Sequence, residues 1–140
     1  MSVVALDIDH FKAVNDEHGH YVGDSALVDI AGIFRQYSRD RDLVARFGGE
    51  EFVILLPGAD HAEAQSCAER IRRGVERHVV DAGDELEVRM TVSIGVAEVN
   101  TAMESVESAV NRADKALYEA KALGRNRVSC SEAVAGGASF

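Results

Sequence analysis

Only two cysteines, Cys67 and Cys130, occur in the 140 residues, and Cys67 falls on the apolar face of an expected helix. That excludes a disulfide framework and predicts free thiols in a reducing compartment, the cytoplasm. No apolar run approaches the roughly 18 residues of a membrane span, and the N-terminus lacks a basic segment followed by a signal-like apolar stretch, so a soluble chain without membrane contact is expected. Positive charge is scarce, with 15 Lys and Arg against 24 Asp and Glu and a formal net charge of −9. This argues against sequence-independent nucleic-acid binding, which relies on basic side chains neutralising phosphates. It leaves room for a nucleotide, because a divalent cation and a few placed bases can offset the repulsion of a triphosphate. A Ser-His-Asp arrangement, a Walker loop and a Cys-x-x-Cys site are also missing, and His18 and His20 have no third ligand at zinc spacing.

What is present fits one domain: 140 residues, 46% of them hydrophobic, suffice for a single core. An apolar strand at 3–8 leads into a tight loop and short helix near 10–17. Leu27, Ile30, Phe34 and Tyr37 recur at helical spacing in a helix at about 22–38, with Asp24 at the N-cap position. A hairpin follows at 42–56, closed by Pro57 and Gly58. Ala64, Cys67, Ala68, Ile71 and Val75 form one stripe of a helix at 60–78, and Gly83 marks the next loop. Alternation of Val88, Met90, Val92 and Ile94 predicts a half-buried strand over 86–99, in which Gly95 signals a bulge or a close backbone approach. A helix at 105–122 stops at Gly124, and a short strand lies around 126–130. This order is α+β, an antiparallel-type sheet covered by helices. Residues 1–130 form the domain, and the Ala-, Gly- and Ser-rich residues 131–140 form a flexible tail.

Two strand ends carry carboxylates. The first strand runs into Asp7 and Asp9, where buried charge is costly unless it meets a cation or solvent, so that end is a natural place for a divalent metal. Glu50 and Glu51 follow Gly48 and Gly49, which suit a two-residue hairpin turn at positive φ between the strand formers Phe47 and Phe52. Either feature alone reads as a turn or a solvated hairpin tip. Their joint occurrence points to a site.

Asp7, Ile8, Asp9, His10, Phe11 and Lys12, then Asn15, Asp16, Gly19, His20, Gly23 and Asp24, then Arg46 through Phe52, form a pattern that resembles the GGDEF family. It continues through Ser93 to Ala97, Ala113 to Tyr118, and Ala120, Lys121, Gly124, Arg125 and Asn126, so that the resemblance covers 3–128 in the family's order and spacing. The family comprises diguanylate cyclases, which condense two GTP molecules into cyclic di-GMP, and Glu50 corresponds to a common active variant. The resemblance implies a palm-like, ferredoxin-related fold and a homodimer in which each domain holds one GTP.

By the same resemblance, Asp7, Glu50 and the Ile8 carbonyl are ligands for Mg²⁺ or Mn²⁺, which suit hard oxygen donors. Glu50 also accepts the attacking hydroxyl's proton, Glu51 supports the site, and Asp9 is either a supporting group or a turn former. The amides of His10, Phe11 and Lys12, with the charges of Lys12, Lys121 and Arg125, hold the triphosphate. Gly48 and Gly49 belong to the substrate-binding turn. Asn15 and Asp24 read guanine, whose N1 and N2 donors suit a carboxylate, with helix capping as a second role for Asp24. Arg39 and Asp42 match the Arg-x-x-Asp product-inhibition site, with Arg70 as a further contributor, although the spacing alone also reads as a solvated loop.

Family members usually carry a helical segment upstream of the first strand, and this sequence begins at the strand. Exposed apolar surface on the sheet and reduced stability are the expectation. An upstream sensory domain is the expected source of input. A GTP- or cyclic di-GMP-binding sensor without turnover and a dimerisation scaffold are the readings from other classes.

Overall fold

The computed structural model describes residues 1–83 and 85–132. Most of the expected tail, 133–140, lies outside the described residues. The central strand β1 (Ser2–Ile8) is buried along its whole length. The chain then forms α1 (Phe11–His18), α2 (His20–Tyr37), β2 (Leu43–Arg46), β3 (Glu51–Leu56), α3 (His61–Arg77), β4 (Val79–Asp81), β5 (Glu87–Arg89), β6 (Val92–Glu98), α4 (Val106–Ala122) and β7 (Val128–Cys130). The main sheet has the order β2-β3-β1-β6-β7, antiparallel except for the parallel β6–β7 pair. It is an α+β fold.

The pleat of β1 divides the core in two. Val4, Leu6 and Ile8 point to one face, where they join Phe52, Ile54, Val92 and Ile94 of neighbouring strands and Ile30, Phe34, Ala64, Ile71 and Val75 of α2 and α3. Val3 and Ala5 point to the other, where they meet Val53, Ala97, Ala109, Ala113 and Leu117 beneath α4. Asp7 continues the odd-numbered series and so falls on the α4 side.

Helix α4 lies very close to β6. A Cβ at Gly95 would stand 2.0 Å from the Ala113 carbonyl oxygen and 2.4 Å from the Leu117 amide nitrogen. Gly95 is thus the expected close approach and not a bulge, since β6 pairs with β1 without interruption from Val92 to Glu98. Ala109, Ala113, Ala116 and Ala120 are the buried small residues of α4 that permit the contact.

Several expected boundaries shift. The strand expected over 86–99 is broken at Met90 and Thr91: β5 leaves to pair with β4 in a two-stranded sheet absent from the sequence reading, and β6 alone joins the main sheet. The alternation survives the break because Val88, Met90, Val92 and Ile94 all face the same core. Helix α2 begins at His20, after Gly19 at φ 90°, so Asp24 lies within the helix and is not its cap. Gly48 and Gly49 do not take positive φ, and the turn spans the four residues between β2 and β3 rather than two.

On the α4 side of the sheet, Leu43 is 58% exposed, and Phe47 beyond the end of β2 is 66% exposed. Both cysteines are free thiols. Among the described residues no helix is long and apolar enough to cross a membrane.

Gly95→Ala should lower stability by at least about 2 kcal/mol, because the added methyl meets helix backbone that cannot rotate away. The midpoint of urea unfolding reads this directly; a variant as stable as the parent would show that α4 is not held at this depth.

Candidate active site

The end of β1 and the tip of the β2–β3 hairpin are joined by backbone bonding. Asp7 is paired with Glu51, and the Ile8 N–H donates to the Glu50 carbonyl at 3.2 Å. Glu50, the last residue before β3, lines the space beyond β1. Asp7, Ile8, Asp9, His10, Phe11, Lys12, Glu50, Lys121 and Arg125 line one cleft of about 180 Å³. Glu51 is not among them; its side chain lies over Gly48, with a carboxylate oxygen 3.7 Å from where a Gly48 Cβ would be.

Asp7 is 5% exposed, and its carboxylate accepts from the Lys121 ammonium, which descends from the last turn of α4. Asp9 is equally buried but fully engaged by the protein: the hydroxyls of Thr91 and Ser93 each donate to it at 2.7 Å, and the Asn126 N–H donates at 3.1 Å. That settles the two roles considered for Asp9. It ties the end of β1 to β6 and to the loop after α4, whereas the Asp7 carboxylate is bonded to Lys121 and Glu50 lines the cleft.

His10 takes a left-handed conformation, φ 58° and ψ 30°, which turns the chain from β1 into α1 without a side-chain cap. The first amides of α1 therefore have no intrahelical acceptor and border the cleft. Phe11 contributes backbone only, because its ring is buried in the core.

Asn15 and Asp24, on α1 and α2, do not line this cleft. A Cβ at Gly23 would fall 1.7 Å from Asn15 Oδ1 and 3.4 Å from Phe11 Cζ, so the glycine makes room for the amide. Asn15 Oδ1 is buried without a hydrogen-bond partner, an acceptor awaiting a donor. Asp24 is exposed.

The family model described as diguanylate cyclase, GGDEF domain, matches residues 1–127. The chain belongs to the GGDEF family. It is 45% identical over 132 residues to diguanylate cyclase A of Treponema denticola, covering 94% of this chain and 35% of that one. Diguanylate cyclase DgcP of Pseudomonas aeruginosa is 42% identical over 90% of this chain and 18% of its own. The chain thus spans about a third or less of the length of these relatives. Among solved structures, the GGDEF domain of DgcB from Caulobacter crescentus in complex with c-di-GMP superposes with a TM-score of 0.87 at 36% identity, covering 92% of this chain and 76% of that one. The active GGEEF domain of a diguanylate cyclase from Vibrio cholerae also gives a TM-score of 0.87, at 33% identity over 95% and 83% of the two chains.

This GGDEF domain carries a second concavity, about 350 Å³, lined from α2, the loop before β2, the end of β3 and α3. Arg39, Asp42, Cys67 and Arg70 are among its lining residues, so the three residues of the expected product site are brought together. Arg39 is already occupied. Its backbone N–H and Nε donate to Asp42 Oδ2 at 2.8 and 3.3 Å, and one terminal nitrogen donates to Asp42 Oδ1 at 3.0 Å and to the Pro57 carbonyl at 2.9 Å. The Asp42 side chain is 1% exposed. Hydrogen bonding to Asp42 raises the guanidinium's pKa above its ordinary value, and burial pushes the Cys67 thiol up. The loop is a preformed brace with Arg39 at the pocket's edge.

Two features escaped the sequence reading. Arg46 bends back over the hairpin tip, its Nε donating to the Gly48 carbonyl at 3.0 Å and a terminal nitrogen donating to the Gly49 carbonyl at 2.6 Å. It fixes the loop that presents Glu50, and although Arg46 belongs to the motif quoted above, nothing in the sequence shows this role. Asn126 is the other, bonded to Asp9 past the end of β1 and to Arg72 and Glu76 of α3.

Proposed function

We propose that the chain is the catalytic domain of a diguanylate cyclase, which joins two GTP into cyclic di-GMP and releases two pyrophosphates. The observation that carries this reading is the convergence of Asp7, Glu50, Lys12, Lys121, Arg125 and the first amides of α1 on one cleft. Asp7, Glu50 and the Ile8 carbonyl would hold Mg²⁺ or Mn²⁺: the donors are hard oxygens, and a small protein set leaves positions for phosphate and water. Such an ion polarises the phosphoryl oxygens and lowers the pKa of the attacking hydroxyl.

The protein's own groups do the rest. Lys12, Lys121, Arg125 and the amides of His10, Phe11 and Lys12 hold the triphosphate, in the manner of a helix N-terminus with basic neighbours. Gly48 and Gly49 present bare backbone: a Cβ at Gly49 would meet nothing within 4 Å, so the space is left for substrate. Asn15 Oδ1 takes a donor from guanine, and Asp24 accepts from its N1 and N2 edge. Adenine would leave those acceptors unpaired.

In each half-reaction a 3′-oxygen bonds to the α-phosphorus of the other GTP, the bond to the bridging oxygen breaks and pyrophosphate leaves. Glu50 takes the hydroxyl proton. Each domain holds one GTP, so a homodimer facing itself across the two clefts completes the reaction. Cyclic di-GMP binds at Arg39, Asp42 and Arg70 and inhibits, with the arginines forking onto guanine or phosphate. An upstream sensory domain controls the dimer, and the protein works in the cytoplasm, where GTP is available.

One observation favours a second reading, a module that binds nucleotide without turnover: the Lys121 ammonium sits on Asp7, a carboxylate the cation needs. Incubating concentrated protein with GTP and Mg²⁺ or Mn²⁺, with products identified by mass spectrometry, decides between them. Cyclic di-GMP is expected from the parent, with a loss of at least about a hundredfold in Glu50→Ala. Binding of GTP with no product would establish the module, and substantial activity in Glu50→Ala would remove that residue from the chemistry.

Gly23→Ala forces Asn15 from its place, so preference for GTP over ATP should fall about tenfold or more in competition binding; an unchanged preference would mean that Asn15 does not read the base. Arg39→Ala and Arg70→Ala should each raise the cyclic di-GMP concentration needed for inhibition about tenfold or more while leaving synthesis intact. Unchanged inhibition in both variants would reduce this loop to a structural brace.

A further inference from the structure

Gly124, Arg125 and Asn126 follow one another with φ of 123°, 64° and 46°. Two residues with side chains thus hold, in succession, a conformation that such residues rarely adopt. Helix closure accounts for part of it: the Gly124 N–H donates to the Lys121 carbonyl at 3.2 Å and the Arg125 N–H to the Ala120 carbonyl at 3.0 Å. The long-range restraints fall on Asn126. Its N–H donates to Asp9 Oδ2 at 3.1 Å, its amide oxygen accepts from Arg72 at 3.0 Å, and its amide nitrogen donates to Glu76.

Each of these partners is itself held. Asp9 is fixed by Thr91 and Ser93 at the end of β1, and Arg72 is fixed on α3 by Glu69 at 3.1 Å and Glu76 at 3.6 Å. The Arg125 carbonyl accepts from Arg127 Nε at 3.1 Å, while its side chain borders the cleft. Asn126, Arg72 and Glu76 do not line that cleft. Their side chains act on it through the backbone that carries Arg125, while the Asn126 N–H also reaches Asp9, which lines it.

We propose that Asn126 is a positioning residue for triphosphate binding: clamped by Asp9, Arg72 and Glu76, it locks the left-handed turn that aims Arg125 into the cleft beside Lys121. This rests on the reading of Arg125 as a triphosphate ligand. Asparagine suits the post for two physical reasons. It tolerates the left-handed region better than most residues with side chains, and its amide can accept from an arginine while donating to a glutamate. Aspartate would set a second negative charge against Glu76. Glycine would keep the backbone and lose both side-chain bonds.

The test compares binding of guanosine 5′-(α,β-methylene)triphosphate, whose α–β bridge cannot be cleaved, with binding of GMP, both with Mg²⁺, by calorimetry. Asn126→Gly should weaken the triphosphate about tenfold, equivalent to about 1.4 kcal/mol, and leave GMP unchanged. In an Arg125→Ala background the same substitution should cost nothing further, because the clamp acts through Arg125. Equal losses for both nucleotides, or additive losses in the double variant, would overturn the proposal.

An Arg125→Ala protein that binds the triphosphate normally would overturn the ligand reading instead. The clamp is then read without nucleotide: Arg72→Met should speed hydrogen exchange of the Arg125 and Asn126 amides about tenfold while those of Ala116 and Leu117 stay protected. Unchanged exchange at Arg125 and Asn126 would show that α3 does not hold the turn.

Discussion

The contact of α4 with β6 at Gly95 is the constraint on which the rest of the structure depends. With the Ala113 oxygen 2.0 Å from where a Cβ would stand, the helix rests on the sheet at backbone distance. Its depth fixes where its last turn emerges, and there Lys121 reaches Asp7 while the turn beyond carries Arg125 to the same cleft. A helix held away by ordinary side chains would carry both cations outward. The alanines of α4 and the glycine of β6 are therefore part of the cleft's geometry although none of them touches it.

The pleat of β1 performs the complementary task. Odd residues face α4 and even residues face α2 and α3, so Asp7 turns toward the cation-bearing helix while Leu6 and Ile8 remain in the larger core. Past the strand, Asp9 reverses the usual cost of a buried carboxylate by accepting three donors from β6 and the loop after α4. Two acids two residues apart thereby take different work. Asp9 joins elements together, and Asp7 is left to face charge.

Much of this was legible in the residues. The α+β order, the four helices, the carboxylate-bearing end of β1 and the hairpin that carries Glu50 follow from periodicity and glycine placement, and Gly95 signals either a bulge or a close approach, of which the second holds. Local pattern failed where long-range bonding decides. The apolar alternation through Val88 to Ile94 reads as one strand because a shared core imposes one period, whereas the break at Thr91 arises from its bonds to Asp9, 82 residues earlier. Asp24 looks like a cap only if α2 starts late, and Gly19 at φ 90° starts it earlier. Asn126 is marked only as part of a motif and its task is not local, since its partners are Asp9 past β1 and Arg72 and Glu76 of α3.

Charge balance sets the cleft apart from the acidic chain around it. The whole molecule carries −9, yet the cleft is lined by Asp7, Asp9 and Glu50 against Lys12, Lys121 and Arg125. The sum is even, because Asp9 keeps its charge although three neutral donors bond it, so the cleft is locally balanced where the chain as a whole is acidic. The unbonded amides at the start of α1 add positive potential without a formal charge. At physiological ionic strength the exposed acids elsewhere are screened over about 8 Å, so an anion at the cleft meets little of the repulsion that the net charge suggests.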